Sequence, residues 1–137
     1  MAAGRDLKDM PEQSAYATLS GIEMVTVTPE EVVCRMPVTE HLTNRNGVLH
    51  GGAIMTLADN AAGSAAFIAL PPERSNTTVE AKTNFIRGVK VGDIVTAHCV
   101  PLHRGRTTMV FQITMTREDG KVAAVTTQTH LAIDWAG

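Results

Sequence analysis

This 137-residue chain has an excess of neither charge: 12 Lys and Arg against 14 Asp and Glu leave a net charge of −2. That gives no electrostatic argument for a nucleic-acid or anionic-membrane partner. Aromatic residues are scarce, with 3 Phe, 1 Tyr and 1 Trp, so no stacked aromatic wall is expected. With 2 cysteines it is not a disulfide scaffold. Cys34 and Cys99 each fall in an apolar, strand-like run and read as small core hydrophobes in a reducing compartment. Long hydrophobic runs are missing too. The uncharged stretch from Asn60 to Leu70 ends at Pro71-Pro72, well short of the roughly 20 residues a bilayer span needs. The polar start, Met1 to Asp9, lacks the apolar segment of a secretory signal. His41, His98, His103 and His130 show no ligand spacing, so no metal is expected. These absences leave one cytoplasmic domain over residues 1–137, with about residues 1–11 loose.

Within that domain the hydrophobic period changes along the chain. Glu12 to Leu19 reads as a short helix stopped by Ser20-Gly21. Ile22 to Thr28, with Val25 and Val27 on one face, and then Val32, Cys34, Met36 and Val38 form a hairpin turned at Pro29-Glu30. A polar loop, Thr39 to Leu49, delivers the chain to a long helix from Gly51. Its stripe Ile54, Leu57, Ala58, Ala61, Ala65 and Ile68 recurs at spacings of three and four. A second line carries Met55, Asp59, Ala62 or Gly63, and Ala66, an unusual place for a single acid. Four strands follow: Thr78 to Arg87, Ile94 to Leu102, Thr107 to Thr116 and Val122 to Asp134, with a hairpin signal at Glu118-Asp119-Gly120-Lys121. Two strands, one helix and four strands make an α+β fold in which an antiparallel sheet wraps a helix.

The chemistry concentrates at His50-Gly51-Gly52. The first turn of a helix has N–H groups without helical partners and the positive end of the dipole behind them. Two glycines there suit a polarising site for a carbonyl or phosphate oxygen; equally, they suit a helix start packed on another backbone. Asp59 follows eight residues after Gly51, which at a helical rise separates them by roughly 12 Å. An acid and an oxyanion donor must each reach within about 3 Å of one reacting group. If both act on one carbonyl, they come from two copies of the chain with helices antiparallel across a two-fold interface. Ala61, Ala62, Gly63, Ala65 and Ala66 would let such helices approach closely.

Asn44-x-x-Gly47-x-x-His50-Gly51-Gly52, Leu57-x-Asp59, and Thr83-Asn84-Phe85-Ile86-Arg87 with Gly92-Asp93 resemble the hotdog-fold acyl-CoA thioesterases of the phenylacetate-degradation and 4-hydroxybenzoyl-CoA type. The resemblance covers about residues 15–134. It implies a homodimer or dimer of dimers that needs no metal or cofactor and hydrolyses acyl-CoA, coenzyme A being part of the substrate. It further implies that the Gly51 N–H polarises the thioester carbonyl and that Asn44 holds the substrate or the attacking water. Asp59 would be general base or nucleophile, its short reach favouring the water-mediated route. Thr78 or Thr77 falls at the water-positioning Ser/Thr, with the register open by one residue. His50 has no acid at triad spacing, so its expected work is to fix the loop or to bond near the thioester.

Arg87, Lys90, Arg104 and Arg106 gather at two turns and suit coenzyme A phosphates. Leu49, Gly52, Ile54, Met55 and Leu57 offer a substrate lining that does not choose between aryl and aliphatic acyl groups. Two other functions share these residues: a hotdog acyl-CoA hydratase or dehydratase, and a non-catalytic acyl-CoA binding module.

Overall fold

The computed structural model describes residue 8 and residues 10–135; the expected loose leader falls mostly outside them. The elements in chain order are α1 (Ala15–Leu19), β1 (Glu23–Val27), β2 (Val32–Pro37), α2 (Gly51–Ala69), β3 (Arg74–Phe85), β4 (Ile94–Arg104), β5 (Thr108–Thr116) and β6 (Val122–Asp134). The strands form one antiparallel six-stranded sheet in the order β1-β2-β4-β5-β6-β3. The sheet curls around α2, the α+β arrangement expected. No helix of the described residues is long and apolar enough to cross a membrane.

Alternation decides which face each strand buries. Val32, Cys34 and Met36 of β2, Val95, Ala97 and Cys99 of β4, and Met109, Phe111, Ile113 and Met115 of β5 all point inward and are buried. The helix meets them with Ile54, Leu57, Ala58, Ala61, Ala65 and Ile68. Ala62 and Ala66 are fully buried as well. Four of the five small residues expected to admit a second helix therefore let α2 lie close on its own sheet, and only Gly63 keeps an outward aspect. Leu57, expected to line a substrate pocket, is fully enclosed in this core. Cys34 and Cys99 are free, and burial pushes both thiols up to about 12. The helix ends because Leu70, preceding Pro71, is extended.

Register shifts interrupt four of the five strand pairings. A β-bulge at Val25 breaks the pairing of β1 with β2, so Val25 is exposed while Met24 and Val27 pack on the core. The expectation that Val25 shares Val27's face fails for that reason. A second bulge, at Val79, interrupts the pairing of β3 with β6. β3 also begins four residues before its expected start at Thr78, because the polar Arg74–Thr77 segment pairs with the end of β6.

On β6 the inward parity is polar at its centre. Thr126, Gln128 and His130 are all buried between Ala124 and Ala132. His130 Nε2 lies 2.9 Å from Gln128 Oε1. Its Nδ1 and the Gln128 amide nitrogen have no partner among the described residues. Burial pushes the His130 pKa down, and the nearby Asp59 charge opposes this less strongly. The unfolded chain therefore binds the proton more readily than the folded one, and stability is lost as pH falls below the unfolded value of about 6.5. We expect the urea midpoint to fall between pH 7 and pH 5.5, with a slope bounded by about 1.4 kcal/mol per pH unit for one proton. His130→Gln should remove most of that fall. An unchanged slope in the variant would assign it to another group.

Candidate active site

The loop before α2 is built to present its first turn. Asn44 Oδ1 accepts from the N–H groups of Asn46, at 2.9 Å, and Val48, at 3.3 Å. Gly47 turns the chain with φ 79°, a left-handed conformation that favours glycine. The carbonyl half of Asn44 thus shapes the loop, while its Nδ2 has no hydrogen bond among the described residues.

His50 is the N-cap of α2. Its extended backbone stops the helix there, and its Nδ1 accepts from the Gly52 N–H at 2.8 Å. A Cβ on Gly52 would lie 3.0 Å from that nitrogen and would press on the capping imidazole. The His50 carbonyl accepts from Ala53 and Ile54. One first-turn donor is left: the Gly51 N–H has no partner among the described residues. Phe85 lies against this glycine, its Cε1 3.2 Å from where a Cβ would stand.

Asp59 is exposed on the outer face of α2, where Thr78 donates to its Oδ1 at 2.7 Å. The Thr78 hydroxyl in turn lies 3.5 Å from His130 Nε2, linking Asp59 to the buried polar row of β6. Thr77 pairs with Leu131 and is one residue out of phase, so it turns to the opposite face of β3. Of the two threonines, the structure brings Thr78 to the carboxylate.

β3 runs along α2 in the opposite sense, and four rungs join them. Asn76 donates to the Gly63 carbonyl, Thr78 to Asp59 and Thr83 to the Met55 sulfur, and Phe85 covers Gly51. The facing residues are even-numbered before Val79 and odd-numbered after it. The bulge is what changes the parity.

The four basic residues separate into two pairs. Arg87 lies with Asn44, Gly51, Ile54 and Phe85 around a cleft of about 310 Å³, and Lys90 bridges to Val48 beside it. Arg104 donates to the Pro29 carbonyl at the far end of β4, with Arg106 in the following turn. Some ten residues of extended strand, roughly 33 Å, lie between the pairs. One chain therefore cannot bring all four to one phosphate group.

A second cavity, of about 610 Å³, opens along the outer face of α2 and reaches from residues 10–14 and β1 to Asp59. Nothing in the sequence pattern marked it, because its walls come from four separate segments, residues 10–14, β1, α2 and Asn76 of β3. The row Thr126, Gln128 and His130 was also missed. Polar residues at the inward parity of a strand otherwise flanked by alanines were the available signal.

Residues 46–124 match the thioesterase superfamily. The chain is 32% identical to the 1,4-dihydroxy-2-naphthoyl-CoA hydrolase of Listeria monocytogenes over 105 residues, covering 77% of this chain and 85% of that protein. Among solved structures, a thioesterase from Haemophilus influenzae superposes with a TM-score of 0.84 at 28% identity, over 89% of this chain and 85% of the other. The E. coli PaaI protein from the phenylacetic acid degradation operon gives 0.84 at 26% identity, over 89% and 86%. The superfamily match spans more than half of the chain and includes the start of α2, Asp59 and Thr78. The chain belongs to the thioesterase superfamily, as a thioester hydrolase with the hotdog fold.

Proposed function

We propose that the protein hydrolyses an acyl-CoA thioester to the free acid and coenzyme A, in a site shared between two copies of the chain. The observation that carries this reading is the open Gly51 N–H at the start of a helix whose own Asp59, anchored by Thr78, stands eight residues further on. That N–H is the donor suited to a developing oxyanion. Asn44 Nδ2, left over from its loop-building bonds, is the second polar group facing the thioester. His50 works chiefly as the cap that aims the first turn.

Asp59 of the second copy takes a proton from water as general base, the water oxygen bonds to the carbonyl carbon, the C–S bond breaks, and the departing sulfur recovers the proton. Thr78 holds the carboxylate through one oxygen and leaves the other for the water. A two-fold axis that sets Gly51 against the partner's Asp59 crosses α2 midway, at Met55. The Thr83–Met55 rung places the same crossing at Thr83 of β3. β3 is a sheet edge of 12 residues with Val79 and Phe85 each 56% exposed, an edge suited to pairing with a second chain. Met55 then sits at the centre of the shared site, and Gly52 at its rim.

Two substitutions separate the halves. Gly51→Pro removes the N–H at the first helical position, where proline is favoured, and His50, with φ −65° and ψ 137°, already has the backbone a following proline requires; its ring displaces the exposed Phe85 ring, 3.2 Å from the new Cβ, and Gly51→Ala, which keeps the N–H and adds the same Cβ, is the control. Asp59→Asn keeps an acceptor for Thr78. Gly51→Pro and Asp59→Asn should each lower kcat by about two to four orders of magnitude with little change in melting temperature. Co-refolding the two variants should restore activity to about a quarter of wild type, because half of the dimers then hold one intact site. Absence of recovery in hybrids verified by mass spectrometry would place the whole site in one chain.

Arg87, beside Gly51 and donating one guanidinium nitrogen to the Val122 carbonyl, is the basic residue best placed for a coenzyme A phosphate. Arg104 and Arg106 can serve the same molecule only from another copy. Arg87→Glu should raise KM for CoA esters by about tenfold, and by much less for short thioesters lacking phosphates. Equal increases would remove Arg87 from the phosphate contact.

A further inference from the structure

We infer that the acyl group is a flexible aliphatic chain lying in the cavity along the outer face of α2, and that Gly63 sets the length it accepts. The inference rests on Asp59 being the catalytic carboxylate, as proposed above. Asp59, Gly63 and Phe67 lie one above another on the helix and line the cavity. Asp59 and Phe67 stand roughly 12 Å apart along the axis, with Gly63 midway between them. Met10, Met24, Val25 and Val27 supply the apolar wall. Met24 and Val25 are consecutive, and both line the cavity because the β1 bulge falls between Met24 and Thr26. Unbranched methionines adapt to a moving chain better than to one rigid ring.

Four of the polar side chains that line the cavity direct a donor to the protein, and the Ser14 hydroxyl beside them accepts from the Ala17 N–H. Gln13 donates to the Ile22 carbonyl, Asn60 to Gln13 and the Met24 sulfur, Ser64 to the Asn60 carbonyl and Asn76 to the Gly63 carbonyl. Strong selection for a hydroxylated ring needs a site group committed to that hydroxyl, and these four are committed to the protein.

Gly63 is otherwise unexplained. Glycine inside a helix is unfavourable relative to alanine. Its φ is not positive, and an added Cβ would meet nothing within 4 Å. Neither backbone conformation nor packing within the chain demands it. An open cavity floor between Asp59 and Phe67 does.

The test is a series of butyryl, hexanoyl, octanoyl and decanoyl-CoA, with benzoyl and para-hydroxybenzoyl-CoA, on wild type, Gly63→Ala and Gly63→Leu. In the wild type, kcat/KM should rise about threefold to fourfold per two-hydrogen carbon added until the cavity is full. Gly63→Leu should lower the decanoyl-to-butyryl ratio by about tenfold. Gly63→Ala should shift it less while raising the melting temperature, which shows that the helix is intact. Preference for either ring ester, or an equal loss on every ester in Gly63→Leu, would overturn the inference. If wild type cleaves no ester, the hydrolase mechanism proposed above fails on its own. Calorimetric binding of octanoyl-CoA then decides the cavity: weakening by Gly63→Leu supports it, and unchanged binding overturns it.

Discussion

The position of α2 against β3 is the constraint from which the site follows. The helix can lie close to the sheet because Ala58, Ala61, Ala62 and Ala66 present almost no side-chain volume to it. Close approach alone would leave the helix free to slide along its axis, since alanines offer few knobs to lock a register. The rungs from β3 remove that freedom. Asn76 grips a helix carbonyl, Thr78 a carboxylate and Thr83 a sulfur, so three directional contacts fix which residue of α2 faces which residue of the edge strand. Apolar burial supplies most of the attraction, and these polar contacts supply the register.

In the proposed mechanism that register also leaves a single chain with half a site. The capping of α2 by His50 consumes every first-turn donor but one, and the remaining Gly51 N–H faces away from the Asp59 of the same helix by a fixed rise. No side-chain rotamer of aspartate closes such a gap. The edge strand that fixes Asp59 is the strand left unpaired at the sheet boundary, so the group that orients the carboxylate and the surface able to recruit a second copy belong to one element. In the proposed mechanism, association and catalysis share a physical basis for this reason.

Most of the fold was legible because its strands alternate and its helix repeats at the expected spacing. β5, with Met109, Phe111, Ile113 and Met115 inward, and β6, with its limits at Val122 and Asp134, needed nothing beyond periodicity. Asp59 was visible as a single acid among small and apolar helix residues and Gly51 as a glycine at a helix start, while the roles of Asn44 and His50 came with the family resemblance. Information carried by pairing was not visible. Choosing Thr78 over Thr77 requires the phase of β3, and dividing Arg87 and Lys90 from Arg104 and Arg106 requires knowing that the length of β4 lies between them. The cavity beside α2 joins residue 10 to residue 76, and no local pattern encodes a contact at that separation.

Alternation misled at Val25, which occupies a bulge, and three bulges of the sheet share a property. Val25, Val79 and Leu102 each occupy the extra position of a bulged strand, and each is a large apolar residue left more than half exposed. A bulge turns one side chain out of phase and re-aims all that follow. At Val79 the consequence is that Thr78 and Thr83, of opposite parity, both face α2, which a regular strand could not achieve. At Val25 the consequence is a wall for the cavity built from two successive residues. The extra residue weakens the local ladder, and at Val25 and Val79 what it gains is geometry around the cavity and the carboxylate, which a regular strand at either place could not supply.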